Sequence, residues 1–345
     1  MATKSPHILC IRFSAMGDVA MTVPVLIALT RSYPNLEITV VSKPFFAPIF
    51  KPLERVHFFD ADVKNTYKGA LGLYKLYKNL NPERFTAIAD LHNVIRSNVL
   101  KSFFRFRGNY IAQIDKGRAA KKALTRPSNK NFQPLETTHE RYASVFKKIG
   151  YPVKLDGSEH LPKQNLNTEI RDLLGNEPQK WLGIAPFAAH DGKKYPLELL
   201  DEVLSELSTK PYKIILFGGG KEEEQLLNSF ASKYENHVSI AGRFSFAEEL
   251  ALISHLDAML AMDSGNGHLA ALFGVPTLTI WGVTHPYLGF APFKQPEENQ
   301  LLADREQFPA IPTSVYGNKV PQGYDKAMHS ILPGAVLERI YKLLD

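Results

Sequence analysis

Short apolar runs rich in β-branched residues alternate along this chain with longer stretches whose apolar positions recur every three to four residues. HILCIRF (7–13) reads as a buried strand, followed by a short SAMGD turn and an apolar helix over Val19 to Ser32. Pro24 is an interior exception that can bend this helix without cancelling its periodicity. EITVVS (37–42), a helix near 45–53, VHFFDA (56–61), a helix over 67–80, TAIADL (86–91), a helix over 94–104 and YIAQID (110–115) continue the series, and a helix over 139–149 closes it. The stretch YPVKLDGSEHLPKQNLN breaks the pattern and has room for one short edge strand in a connector near 155–178. Alternation restarts at WLGIAPFA (181–188). It runs through helix 197–208, strand KIILFGG (213–219), helix 222–234, strand VSIAG, helix 245–256, strand AMLAMD, helix 267–273 and strand TLTIWG. Such a series predicts parallel sheets covered by helices. The final PGAVLERIYKLL begins with a helix-start proline and keeps apolar positions at helical spacing.

Length agrees with two such series: 345 residues exceed the usual size of one domain. The expected fold is α/β, two Rossmann-like domains facing a central cleft, with domains over 1–165 and 166–330. A C-terminal helix at 331–345 is free to pack back on the first domain. Hydrophobic residues make up 44%, enough for buried cores, and no collagen, coiled-coil or disordered composition fits. The 41 Lys and Arg against 35 Asp and Glu leave a formal charge of +6, which favours anionic partners without naming one. A single cysteine, Cys10, excludes an intrachain disulfide and permits a cytosolic compartment. The N-terminal stretch lacks a signal-peptide core, and no apolar span reaches membrane length.

Recognised cofactor motifs are missing. There is no GxGxxG fingerprint, no GxxxxGK[ST] phosphate loop, no CxxC pair and no HExxH, so neither a metal nor a dinucleotide is expected. In doubly wound folds ligands sit beyond the carboxyl ends of strands, and three polar stretches fall there. Ser14–Asp18 follows the first strand. There Asp18 is either an N-cap or a general base, and Arg12 either a buried pair or an anion contact. Ala188–Pro196 brings Lys193 and Lys194, which are either phosphate ligands or a solvated pair. Asp263–His268 joins an apolar strand to an apolar helix. Ser264, Gly265, Asn266 and Gly267 suit a tight turn whose amides can cradle a diphosphate. Asp263 can accept from a sugar hydroxyl or cap the turn, and His268 can donate to phosphate or bond locally. Glu222 can meet a ribose or only complement a helix dipole, and Thr284 can contact phosphate. The segment KGRAAKKALTRPSNK (116–130) holds six Lys or Arg residues and no acid. It is either a mobile solvated connection or, placed on the first domain, a contact for an anionic acceptor or bilayer surface. Nucleic acid is not expected, because no aromatic interleaving or recognition helix accompanies the charge.

Taken together, these stretches resemble the lipopolysaccharide heptosyltransferases, glycosyltransferase family 9. IRFSAMGDVAMTVP resembles the family's opening R-x-S-x-x-G-D-x-x-x-x-x-P element, and DLHNVIRS (90–97) resembles its D-x-x-x-x-x-R-S stretch. KYP (194–196) matches its K-[WY]-P position, with Tyr195 where Trp is common. AGRFSFAEELALI and DSGNGHLAALFGVPTLTIWGVTHP resemble the late donor region. Asn93 and Val94 depart from a glutamine-glycine-leucine version of the second motif. The resemblance implies a GT-B fold, acceptor domain first and donor domain second. It implies an inverting, metal-independent transfer of heptose from ADP-L-glycero-D-manno-heptose to the lipopolysaccharide inner core, with no cofactor. Carried onto matching positions, Asp18 is expected as general base and Lys194, with Lys193 beside it, at the donor phosphates. Glu222 is expected at the ribose, Asp263 at the sugar, and 264–268 with Thr284 at the diphosphate. Arg12, Ser14, Arg96, Lys121 and Lys122 are expected on the acceptor side. A cytoplasmic protein, peripheral at the inner membrane, is implied. A transferase using another nucleotide sugar and a non-catalytic glycolipid-binding assembly protein are the alternatives.

Overall fold

The computed structural model describes residues 5–175 and 179–345, so the last residues of the expected connector, 176–178, lie outside the described residues. Internal contacts divide the chain into two units. One runs to Lys116 and resumes over Thr138–Leu161; the other takes Gly117–Thr137 and Pro162–Asp345.

The first unit opens with β1 (His7–Ile11), α1 (Met16–Ala20), α2 (Val23–Ser32), β2 (Glu37–Ser42), α3 (Ala47–Phe50) and β3 (Val56–Asp60). It continues with α4 (Gly69–Asn79), β4 (Ala87–Asp90), α5 (Ile95–Phe106) and β5 (Tyr110–Gln113). After α6 (Arg118–Thr125), which belongs to the other unit, the chain returns with α7 (Thr138–Lys148). The five strands form one sheet in the order β3-β2-β1-β4-β5, every pair parallel. Leu9, Ile11, Val41 and Ile88 pack on one face with Leu73, Leu76, Leu100 and Phe104 of α4 and α5. Alternation sends the equally buried Ile8 and Cys10 to the opposite face. Burial on both faces is why HILCI is an unbroken apolar run. The single helix expected from Val19 to Ser32 is two helices, because Pro24 occupies the first turn of α2, where its missing N–H costs nothing.

The second unit, beyond α6, comprises α8 (Thr168–Leu174), β6 (Lys180–Ala185), α9 (Leu197–Leu207), β7 (Tyr212–Leu216), α10 (Lys221–Ala231), β8 (His237–Ser239) and α11 (Phe246–Ile253). Then come β9 (Ala258–Met262), α12 (Gly265–Leu272), β10 (Thr277–Trp281), β11 (Gln300–Leu302) and α13 (Pro333–Leu344). Its sheet has the order β11-β10-β9-β6-β7-β8, again with every pair parallel. The connector holds helix α8 and, among the described residues, no strand.

Two placements bear on the second unit. The C-terminal helix packs on its own unit: α13 lies against α9 and β9, with Val336, Ile340 and Leu344 in the core beside Leu200, Val203 and Leu204. The basic segment leaves Lys116 in the first unit and runs from Gly117 onward in the second. It folds as α6 and an extended strap, with Leu135 N–H donating to Tyr287 O at 2.9 Å. The strap comes so close that a Cβ at Gly289 would lie 2.6 Å from the Glu136 carbonyl oxygen. Among the described residues no helix is long and apolar enough to cross a membrane. Ile340 is fully buried in this core. Ile340→Ala is expected to lower the unfolding free energy by about 2–5 kcal/mol, read from urea denaturation. A loss under about 1 kcal/mol would contradict that placement of α13.

Candidate active site

Each sheet reverses its winding at one place, between β1 and β4 in the first unit and between β6 and β9 in the second. At such switch points the loops leave in opposite directions and open a crevice at the carboxyl ends of the strands. The polar stretches after β1, β6 and β9 therefore stand where topology makes room for a ligand.

At the first switch point Arg12, 5% exposed, donates from one guanidinium nitrogen to the Leu91 carbonyl at 2.7 Å, across from β1 to the end of β4. Its other terminal nitrogen meets Asp18 Oδ2 at 2.5 Å. Asp18 sits in the first turn of α1, where Oδ2 also accepts the Ala15 N–H at 3.3 Å. The cap and the ion pair thus use the same oxygen. Oδ1 has no hydrogen-bond partner among the described residues, and the side chain is about a third exposed. Tyr142 on α7 steadies the turn from below, its hydroxyl donating to the Asp18 carbonyl at 3.1 Å and its ring facing Arg12. His92 accepts the Phe13 N–H on Nδ1. Burial, helped by Arg12 and Lys116, pushes its pKa down to about 3, so the ring is neutral with its proton on Nε2.

At the second switch point Lys193 ends a 3₁₀ turn over Asp191–Lys193. Its ammonium meets Asp263 Oδ2 at 2.8 Å and the Asp263 carbonyl at 3.1 Å. Thr284, fully buried, donates to the same Oδ2 at 2.9 Å. Asp263 Oδ1 and the third ammonium N–H of Lys193 have no partner among the described residues. Directly after Asp263, extended Ser264 precedes α12. Its hydroxyl is buried and makes no hydrogen bond among the described residues, and it does not cap the helix. An orphaned hydroxyl beside the unpaired first-turn amides of an eight-residue helix is an arrangement for binding an anion. The loops after β6 and β10 touch through glycine. A side chain at Gly282 would collide with the Gly192 carbonyl, which accepts the Val283 N–H at 3.0 Å.

A family model described as glycosyltransferase family 9 (heptosyltransferase) matches residues 73–313. The chain belongs to glycosyltransferase family 9. It is 23% identical to the lipopolysaccharide core heptosyltransferase OpsX of Haemophilus influenzae over 84% of this chain and 83% of that protein. It is 24% identical to lipooligosaccharide heptosyltransferase 2 of the same organism, over 98% and 99%. A family 9 crystal structure from Veillonella parvula superposes with a TM-score of 0.76 at 18% identity, covering 100% of this chain and 98% of that one. The E. coli heptosyltransferase WaaC with ADP gives 0.71 at 18%, over 98% and 99%. The fold is accordingly GT-B, two Rossmann-like domains, and this family 9 member is a glycosyltransferase.

The geometry sorts the residues singled out in the sequence. It joins Arg12 to Asp18, and Lys193 to Asp263 and Thr284. Lys194, expected at the phosphates, pairs instead with the exposed Asp191 at 2.7 Å. Thr284, expected on phosphate, holds Asp263 in place. Lys121 is buried with its ammonium 3.9 Å from the centre of the Phe290 ring, whereas Lys122 is exposed. Glu222 stands exposed in the first turn of α10 with no partner among the described residues. Its neighbour Glu223 accepts the Gly219 N–H at 2.8 Å. Ser14, Gly265 and Asn266 are half-buried at the two turns, and Gly267 and His268 are buried in α12.

In DLHNVIRS, buried Asp90 is an internal pin. It accepts the His92 and Asn93 N–H groups, the Ser97 hydroxyl and the Lys101 ammonium, and leaves Arg96 exposed at the start of α5. Asn93 has φ of 46°, a left-handed conformation that asparagine tolerates. Tyr195 is core, its hydroxyl donating to the Ile331 carbonyl at 2.7 Å. The sequence reading missed Lys43 and Lys64, which gather with Arg96 beyond the ends of β2, β3 and β4. Burial, and then repulsion from Lys64 and Arg96, lowers the Lys43 pKa. Their common position after successive strands was the available signal. Among the described residues no three His, Cys, Asp or Glu side chains are grouped as a metal would require.

Proposed function

We propose that this family 9 glycosyltransferase moves heptose from ADP-L-glycero-D-manno-heptose to the inner core of lipopolysaccharide, with inversion and without a metal. The observation that carries the reading is the second switch point, where Lys193, Asp263 and the orphaned Ser264 hydroxyl surround the N-terminus of α12. Similarity to the Haemophilus and E. coli heptosyltransferases supports the choice of sugar. The diphosphate lies on the α12 amides, the Ser264 hydroxyl and the free N–H of Lys193, with His268 beside them and Glu222 at the ribose. Asp263 Oδ1 accepts from a sugar hydroxyl. Asp18 Oδ1, held in register by Arg12, takes the proton of the acceptor hydroxyl. That oxygen bonds to the anomeric carbon as the bond from carbon to phosphate oxygen breaks, and ADP departs with the electron pair. Lys193 and the helix amides stabilise the charge that develops. Lys43, Lys64 and Arg96 give the first unit a cationic face for an anionic acceptor, and the protein works from the cytoplasmic face of the inner membrane.

Donor profiling tests the reading: the protein is incubated with ADP-heptose and with hexose nucleotides in the presence of a deacylated inner-core acceptor, and products are weighed by mass spectrometry. Heptose transfer is expected. Transfer of a hexose alone would replace the sugar assignment, and no transfer from any donor would favour a binding role. Ser264→Ala is expected to leave unfolding within about 0.5 kcal/mol, since no hydrogen bond is lost. It should weaken ADP binding about tenfold by calorimetry. Unchanged ADP affinity would remove Ser264 from the cradle.

A further inference from the structure

We propose that Lys130 and Arg305 form an oxyanion-binding subsite of the second unit, separate from the Lys193–Asp263 pair and suited to a phosphate monoester. This goes beyond the sugar-transfer reading and does not depend on it. The two cations reach one place from distant parts of the chain. Arg305 follows β11 and donates from Nε to the Ile311 carbonyl at 3.1 Å. Lys130, on the strap after α6, donates to the next carbonyl, Pro312, at 2.6 Å and to Leu124 O at 2.8 Å. The guanidinium lies 3.6 Å from the centre of the Phe132 ring, which fixes its plane. His285 meets the same ring edge-on at 5.1 Å. These bonds leave unused one ammonium N–H of Lys130 and both terminal amino groups of Arg305. Both side chains are half-buried and therefore reachable.

Neighbouring charges agree with the geometry. Burial, and then Arg305, brings the Lys130 pKa down to about 8. Burial, Arg305 and Lys130 bring His285 down to about 4. No carboxylate is among the groups that set either shift, and neither cation forms a salt bridge among the described residues. Holding two cations together in partial burial without an acid is unfavourable until an external anion arrives. A planar fork beside a point charge matches the three oxygens of a phosphate monoester, which carries nearly two negative charges at neutral pH.

The test uses the full chain with its donor site saturated by ADP. Inorganic phosphate is titrated calorimetrically, and flotation with phosphatidylcholine vesicles, with or without phosphatidic acid, supplies the lipid arm. Saturable binding of one phosphate is expected. Arg305→Gln and Lys130→Gln should each weaken it about tenfold, and the exposed Lys326→Gln should not change it. Arg305→Lys, which keeps the charge and loses the fork, should fall between and guards against misreading a folding defect. Arg305-dependent flotation only with phosphatidic acid assigns the anion to a lipid headgroup, and Arg305-dependent uptake of free phosphate without flotation assigns it to a soluble ligand. Non-saturable binding, or equal behaviour of wild type, Arg305→Gln and Lys130→Gln in both arms, overturns the subsite.

Discussion

Asp18→Asn is expected to lower the transfer rate by about a hundred- to ten-thousand-fold, the range lost when a positioned general base is removed. ADP affinity should stay within about twofold, because the donor contacts proposed above come from the second unit. The amide keeps the size of the carboxylate and can still accept the Ala15 N–H, so α1 retains its cap. What the substitution removes is the lone pair that takes the proton and the negative partner of Arg12. A buried guanidinium without its counter-charge is a stability cost as well. Rate and stability are therefore measured together: single-turnover transfer at saturating donor, and a denaturation curve at the same temperature. If the folded variant keeps more than a tenth of wild-type transfer, Asp18 is not the base.

Lys193→Met carries the second large effect. Asp263 is 7% exposed, and removing the ammonium leaves a nearly buried carboxylate with only the Thr284 hydroxyl on Oδ2. Breaking a buried pair from one side costs about 3–5 kcal/mol, so a lower denaturation midpoint is expected along with ADP binding weakened by at least about tenfold. Lys194→Met provides the contrast. Its partner Asp191 is almost fully exposed, so solvent screens the pair and it contributes little. Binding and stability should both remain near wild type in that variant. The reverse order, with Lys194 sensitive and Lys193 tolerant, would move the phosphate contact one residue along the chain.

That one-residue distinction was beyond the sequence for a physical reason. Lys193 and Lys194 sit where a 3₁₀ turn ends, and successive residues of such a turn point about 120° apart. Composition says that a cation is present; only the turn says which one faces Asp263. The strands were legible because parallel strands buried on both faces are written as continuous apolar runs, as in HILCI and AMLAM. The polar stretches after β1, β6 and β9 were legible because small and charged residues interrupt those runs where a ligand can enter. The strap was not, since its cations look solvated in sequence. Its seat is made by residues more than 150 positions away: Phe290 under Lys121, Tyr287 under Leu135, Arg305 on Phe132. Lys43 and Lys64 were overlooked because each is unremarkable alone, and only the order β3-β2-β1-β4 makes them neighbours of Arg96.

Because the polypeptide crosses from one unit to the other after residues 116, 137 and 161, neither half is a continuous piece of sequence. A gene cut near codon 165 would strand Leu124 and Phe132 on the wrong fragment and strip the covering from Tyr287 and Phe290. Two plasmids encoding such halves should yield sticky, poorly soluble products, and a cut after 116 would in turn leave α7, which belongs to the first unit, on the later fragment, so no single cut yields two whole units.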